Sequence, residues 1–504
     1  REIENDLRND FLERIVIQDQ QYFHFHPTGE TMALATNDIS AVRNFLGPGI
    51  MYTAETLVNF TLAISLMFSF NAELTLIAVV PIPLISYVVY RIGKSINHKF
   101  EMVQEQFSDL TTKTQENLSG IKVVKAYVRE ESETESFKTM SVSYMKKNLE
   151  LAKVQSFSYP LMFLLTGFSV IIVLYVGGNK IIEGVMTLGQ LTGFIIYLGL
   201  LTWPIISLGW IINLTQRAEA SMKRLCEVFD SQPAIDDPKA CQTESAAKTQ
   251  QAATIKGKIE FRNVSFRYHT DFPYVLKNVN MTINPGETIG IIGHTGSGKS
   301  TLVNLISRLF DVEEGQVMVD GRNVKEYKLN ELRTSIGYVP QETFLFSDTI
   351  EHNIGYAETK FDKETVIKAA KISQIYKDVD AFPKRFDTIL GERGINLSGG
   401  QKQRTSIARA IVSDPGILIL DDAFSAVDTY TEEEILNGLK EVLKGRTTIL
   451  ISHRVSTLKN SDRIIVLKDG TIAEEGTHDS LIRNEGIYAD IYMKQLLEEE
   501  LKDL

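Results

Sequence analysis

The segment "GHTGSGKST", residues 293–301, sets Gly293, Gly296 and Gly298 around His294, Thr295 and Ser297 and ends on Lys299, Ser300 and Thr301. Glycines at that spacing let backbone N–H groups turn inward on an anion, and a helix opening at the lysine adds the positive end of its dipole. The apolar strand "TIGII" precedes the segment and the amphipathic helix "TLVNLI" follows it. That context separates a phosphate loop from a chance glycine turn: Lys299 would pair with β- and γ-phosphates, and Ser300 would ligate Mg²⁺. Downstream, "ILILDDAFSAVD" runs four apolar residues into Asp421 and Asp422. A strand ending this way beside a nucleotide offers one carboxylate to a metal and a second to a water, and the second is usually a Glu.

The elements that must position these groups read as α/β. "GKIEFRNVSFRYHT" alternates apolar and polar residues as a strand does, and residues 258 to 504 as a whole resemble a soluble, acidic domain. "NLSGGQKQRTSIARA" at 396–410 opens a helix, with Ser398, Gly399, Gly400 and Gln401 at its start; taken alone, this is a helix with an N-cap serine. The chain has 504 residues, too many for one ordinary core, and a net charge of −11, which argues against nucleic acid as a partner. Only Cys226 and Cys241 occur, which excludes a disulfide framework or a cysteine-based zinc site. His24 and His26 in "FHFHP" have no Cys or acidic cluster beside them and read as structural.

The first half has a different character. Four apolar stretches, roughly 50–70, 74–90, 157–175 and 188–214, approach the ~20 residues a membrane-spanning helix needs. The first two are separated by "NAE" and the last two by "GGNKIIEGVMT", whereas the polar helical run between the pairs, about 91–153, is rich in lysine. The lysine-rich loop is therefore expected on the cytoplasmic side of a cell or inner membrane, and the even number of crossings returns residue 215 to the cytoplasm. At the start, Leu7, Phe11 and Ile15 recur every four residues, so the chain opens inside an amphipathic helix with no initiating Met, and the natural polypeptide is expected to begin earlier. These features divide the chain into a membrane domain (1–220), a linker rich in small and polar residues (221–257), a nucleotide-binding domain (258–495) and a tail (496–504).

With these motifs in order, the chain resembles the ATP-binding cassette (ABC) exporters, as a half-transporter of the multidrug- or lipid-exporter kind. "LSGGQ" resembles that family's signature. The resemblance implies further roles: Tyr268 in "FRYHT" stacks on adenine, Gln341 in "VPQETFLF" touches the metal and the membrane-domain interface, Asp428 in "SAVD" lies in the D-loop, and His453 in "ILISHR" is the switch histidine that senses the γ-phosphate. "GERG" at 391–394 resembles an exporter-specific segment, and "TGE…NDISAVRNFL" resembles the first intracellular loop. The implied fold is an all-α transmembrane bundle of the type I exporter class, with four of its six helices in this chain and the missing pair upstream of Arg1, followed by an α/β P-loop NTPase domain. The implied cofactors are ATP and Mg²⁺. The implied partners are a second exporter half, the lipid bilayer and a small hydrophobic or amphipathic substrate.

Asp422 departs from the family pattern. It stands where the family has a Glu as general base, and one fewer methylene draws the carboxylate back from the attacking water. A misplacement of about 1 Å can cost on the order of 100-fold in rate. Such a departure is typical of heterodimeric exporters with one degenerate site, so a heterodimer is expected here. A homodimer in which Asp422 serves as base, and a nucleotide-gated channel or regulatory subunit, are the alternatives.

Overall fold

The computed structural model describes residues 1–237, 255–358, 360–391, 394 and 396–502. Cys241 with the rest of residues 238–254 of the expected linker, Glu392 and Arg393 of "GERG", and the tail residues Asp503 and Leu504 lie outside the described residues, as do the side chains of Tyr159 and Trp203. The chain divides into two compact units, one comprising Arg1–Val16 and Thr28–Ser231, the other Ile17–Pro27 and Gln232–Leu504.

The first unit is entirely helical. Glu2–Val16 is the amphipathic opening helix, with Phe11 and Ile15 buried. A helix over Thr28–Phe70 contains two π-helical turns, Leu34–Asp38 and Phe45–Gly49, the second around Pro48, whose missing N–H removes a rung of the ladder. Asn71 ends this helix and caps the next, Ala72–Val79, by accepting the Leu74 N–H. Long helices Pro81–Ser119 and Glu130–Ile182 pack against each other, joined by the short helix Ile121–Ala126, and Leu188–Asp230 closes the unit. A core of Ala63, Met67, Leu74, Val173, Phe194 and Leu201 holds these helices together. Asp38, 8 % exposed, joins two of them: Arg224 donates to it from Nε (2.9 Å) and Nη2 (2.7 Å), and Ser221 Oγ donates at 2.9 Å.

Among the described residues, one helix, Thr28–Phe70, is both long and apolar enough to cross a bilayer; shorter apolar helices cover Gly167–Ile182 and Leu188–Leu201. Phe157, Phe163, Phe168, Ile171, Ile182 and Leu188 all stand more than half exposed. Apolar surface on that scale needs a cover other than water.

Among the described residues, the second unit carries ten strands: β1 (Ile259–Phe266), β2 (Leu276–Ile283), β3 (Thr288–Gly293), β4 (Glu314–Val319), β5 (Arg322–Asn323), β6 (Ile336–Val339), β7 (Ile417–Asp421), β8 (Thr447–Ile451), β9 (Arg463–Lys468) and β10 (Thr471–Gly476). They form an antiparallel sheet in the order β2-β1-β4-β5 and a larger sheet in the order β10-β9-β3-β8-β7-β6. β7 and β8 are buried at every position and β3 at all but its first. Their near-continuous Ile and Leu are what central parallel strands covered on both faces require. β10, the antiparallel edge, alternates instead. One core cluster lies between the sheets around Ile289, Ile291, Leu302 and Ile306, and a second lies on the far side around Leu418, Leu420, Ile407 and Ile411.

Candidate nucleotide site

Four neighbouring strands, β3, β8, β7 and β6, run parallel and end on the same side of the sheet. β3 leads into the phosphate loop at Gly293, β8 into His453, β7 into Asp421 and Asp422, and β6 into Gln341. Ligands in open α/β sheets bind beyond such carboxyl ends. The register reinforces this placement: Asp421 pairs with Ile451 of β8, and Ile451 with Ile291 of β3.

The loop itself is shaped for an anion. Gly298 sits at φ +97° and begins the helix Lys299–Ile306 with no side-chain cap, so the first N–H groups of that helix have no side-chain acceptor at the cap position. Gly293 has no room for a side chain, since a Cβ there would lie 2.2 Å from the Leu467 carbonyl. Ser297 is buried and its Oγ has no hydrogen-bond partner. The Lys299 ammonium, also buried, donates to the carbonyls of Gly293 (2.9 Å) and His294 (3.0 Å). A cradle of uncapped amides, an unpartnered hydroxyl and a lysine held on carbonyls fits a polyphosphate.

The carboxylates stand beside it. Burial pushes the Asp421 carboxyl above the usual range and the charge of Asp422 adds to this, while a hydrogen bond with Ser300 and the charges of Lys299 and His453 act the other way. Lys299 shows the converse: burial lowers its ammonium, opposed by Asp421 and Asp422. A hydroxyl and a carboxylate in mutual contact are an oxygen donor pair of the kind a hard divalent cation takes, so Ser300 and Asp421 fit Mg²⁺. Asp422 is half-buried with its backbone at φ +49°. Its N–H donates to the Ile451 carbonyl (2.9 Å), and its own carbonyl accepts from Ser425 Oγ (3.1 Å) and Gln403 Nε2 (3.4 Å).

Tyr268 is tied over the start of the phosphate-loop helix. Its hydroxyl is 2.8 Å from Thr301 Oγ1, and its ring is held edge-on by Phe266 and Phe310. His24, read from the sequence as structural, lies with its ring 6.1 Å from that of Tyr268 in near-parallel planes, and Asp19 accepts the Ala234 N–H at 2.6 Å. The segment Ile17–Pro27 thus groups with the nucleotide-binding residues.

The signature and D-loop residues are not brought to the phosphate loop of their own chain. Ser398 caps the helix Gly399–Val412 in a reciprocal box with Gln401. A Cβ on Gly400 would lie 2.8 Å from the Ala426 carbonyl, so this helix start rests on the D-loop backbone. Gln403, which the sequence did not single out, fastens the two by accepting from the Ala426 N–H (2.8 Å) and donating to Ser425 Oγ (2.8 Å). Asp428 caps the following helix through the Thr431 N–H (2.9 Å). Arg454, next to His453, donates to the carbonyls of Val427 (3.2 Å) and Ser425 (3.3 Å) and to buried Glu432 (3.0 Å). Gln341 lies exposed beyond β6.

Known proteins share this arrangement. A family model described as "ABC transporter transmembrane region" matches residues 1–205, and one described as "ABC transporter" matches residues 276–425. The chain is 36 % identical over 501 residues to the "multidrug resistance-like ATP-binding protein MdlA" of Escherichia coli, spanning 99 % of this chain and 83 % of that protein. It is 35 % identical over 496 residues to the "ATP-dependent lipid A-core flippase" of Syntrophus aciditrophicus, spanning 98 % and 81 %. The solved structure of a bacterial Atm1-family ABC exporter with ATP bound superposes with a TM-score of 0.80 at 27 % identity, covering 98 % of this chain and 85 % of that one. The chain belongs to the ABC transporter family, as an exporter whose helical transmembrane region is followed by its own ATP-binding domain, coupling ATP to transport across a membrane.

Proposed function

We propose that this chain is one half of a heterodimeric exporter of hydrophobic or amphipathic substrates, binding MgATP firmly but hydrolysing it slowly at its own phosphate loop. One observation carries the reading. The two peptide groups that flank the Asp422 Cα are held by Ile451 on one side and by Ser425 and Gln403 on the other, so the backbone cannot advance to make up for the short side chain. Lys299 and the loop amides would hold the β- and γ-phosphates, Tyr268 would support the adenine, and Ser300, Asp421 and Gln341 would hold the metal. Mg²⁺, when bound, neutralises charge on the phosphate oxygens. Asp422 accepts the proton of the attacking water from a retracted position, and His453 donates to the γ-phosphate. Ser398, Gly399, Gly400, Gln401 and Asp428 face the nucleotide of the partner half, which supplies the longer base for that second site.

The domain scheme goes with this reading: four spans within residues 1–220, a linker at 221–257, the ATP-binding domain at 258–495 and a tail at 496–504, with the ATP-binding domain on the cytoplasmic side of the cell or inner membrane. Two short helices, in the loops near residues 17–26 and 122–132, carry the movement of the ATP-binding domain into the membrane in this reading. Gln20–Phe25 groups with the ATP-binding unit, and Ile121–Ala126 buries none of its residues while Val123, Tyr127 and Val128 stand exposed. Relatives named for multidrug resistance and for lipid A-core flipping support apolar or amphipathic cargo.

A homodimer using Asp422 as base is the second reading, favoured by the φ of +49° at that position, where Asp is better tolerated than Glu for reasons of backbone alone. The test is phosphate release by the purified full chain in lipid nanodiscs. Firm nucleotide binding with little turnover, restored by adding a partner half, supports the heterodimer. Brisk turnover by the chain alone supports the homodimer. Accumulation of substrate against a gradient in vesicles, rather than downhill flux alone, supports a pump over a channel.

A further inference from the structure

His453 sits on a short loop after β8, and the side chain that closes this loop comes from the C-terminal helix Ile487–Lys502. That helix is anchored at its first turn. The Glu474 carboxylate accepts the N–H groups of Ile487 (2.5 Å) and Tyr488 (3.2 Å), and fully buried Tyr488 places its hydroxyl 2.7 Å from His478 Nδ1. Ile487, Ile491 and Tyr492 pack against the core on the same side. Residue 495 lies seven positions beyond Tyr488, two helical turns on, and so projects from the anchored face.

There Gln495 Nε2 donates to the His453 carbonyl (2.5 Å), and its Oε1 accepts the Val455 N–H (2.8 Å). Two other groups of the loop bond nearby: the Ser452 N–H donates to the Ile291 carbonyl (3.3 Å), and the Arg454 N–H donates to Ser452 Oγ (2.9 Å). Gln495 therefore holds the backbone on either side of Arg454. The same helix face, with Gly293, His294, His453 and Lys468, lines a cavity of ≈ 450 Å³ beside the phosphate loop.

We propose that Gln495 is a positioning residue for His453: a two-bond clamp from the C-terminal helix that sets how far the imidazole reaches toward the γ-phosphate. The inference rests on reading residues 293–301 and His453 as the nucleotide site. Because ADP lacks the γ-phosphate, the clamp is tested by the difference between two affinities, and turnover is not needed. Full-length chain in nanodiscs is titrated with MgATP and MgADP as wild type, Gln495→Met, His453→Ala and the double variant, with thermal midpoints measured alongside.

The expected result for Gln495→Met is a loss of about tenfold in ATP affinity, the size of one hydrogen bond to a charged group, with ADP affinity unchanged. The double variant should bind ATP no more weakly than His453→Ala alone. Gln495→Glu keeps the length and the Val455 acceptor but loses the donor to His453, and should move in the same direction if the Met variant does not fold. Equal losses for ATP and ADP, or effects of Gln495 and His453 that add, would overturn the clamp and leave a merely structural contact. A wild-type chain that binds neither nucleotide would overturn the site itself, and the clamp with it.

Discussion

Replacing Asp422 by Glu separates geometry from general fitness, because its effects on rate and on stability should have opposite signs. The added methylene carries the carboxylate forward by roughly 1 Å from a backbone pinned at its N–H and carbonyl. Recovering a misplacement of that size is worth about 100-fold in rate, or about 2.7 kcal/mol of barrier. The same substitution puts Glu at φ +49°, a left-handed conformation in which Asp is tolerated better, so the fold should lose about 1 kcal/mol or less. The variant is therefore expected to be faster and slightly less stable. Phosphate release at saturating MgATP from the full chain in nanodiscs reads the first effect and a thermal midpoint reads the second. Nucleotide affinity should stay level, since Lys299 and the loop amides are untouched. A wild-type chain already as fast as the variant, or a variant that gains no rate, would refute the argument that carboxylate reach limits this site.

The raised Asp421 carboxyl makes metal-dependent nucleotide binding sensitive to acid at a higher pH than an ordinary Asp near 3.9 would give, because only the carboxylate ligates the metal. Asp422→Asn removes the neighbouring negative charge, lowers the Asp421 pKa and should shift the acid midpoint of Mg²⁺-dependent affinity downward in pH; an unchanged or higher midpoint contradicts this. Gly293→Ala drives a Cβ against the Leu467 carbonyl of β9, where strand backbone cannot yield, and should cost about 1–3 kcal/mol and abolish nucleotide binding measured by fluorescence titration. Asp38→Ala strands Arg224 and Ser221, but the Arg224 side chain is 50 % exposed, so the loss of stability in a detergent melt should stay near 1–2 kcal/mol.

The phosphate loop, the paired aspartates and the signature helix were legible because each lies in one contiguous stretch with its own strand or helix. Alternation in β1, continuous apolar runs in β3, β7 and β8, and the helical period at Leu7, Phe11 and Ile15 all became the expected elements. Interruptions were harder to see. The apolar stretch 74–90 reads as one span, and Val80 keeps helical dihedrals, yet Pro81 has no N–H to donate and interrupts the hydrogen-bond ladder there. What holds the site together was not legible at all. Gln403, Arg454, Glu432 and Gln495 act by donating to or accepting from backbone 19 to 42 positions away, or from each other, and no local pattern encodes such a pairing.

These fasteners connect the parts of the site in a definite order. Gln403 joins the signature helix to the D-loop, Arg454 joins the D-loop to the loop of His453, and Gln495 joins that loop to the C-terminal helix. Ser398 and Asp428, the residues expected to face a second nucleotide, are both helix caps whose oxygens already hold one backbone N–H. Hydrogen bonding to Thr431 keeps Asp428 below the usual carboxylate range, so it remains anionic at neutral pH. A capping oxygen has further lone pairs, and its position is set by the helix it begins. A shift of His453 on meeting or losing a γ-phosphate would therefore reach these two caps through the Arg454 and Gln403 side chains, each held by bonds to D-loop backbone. Such a linkage can couple one nucleotide to the face that meets the next, and it predicts that loosening Arg454 weakens the coupling between two sites more than the affinity of either.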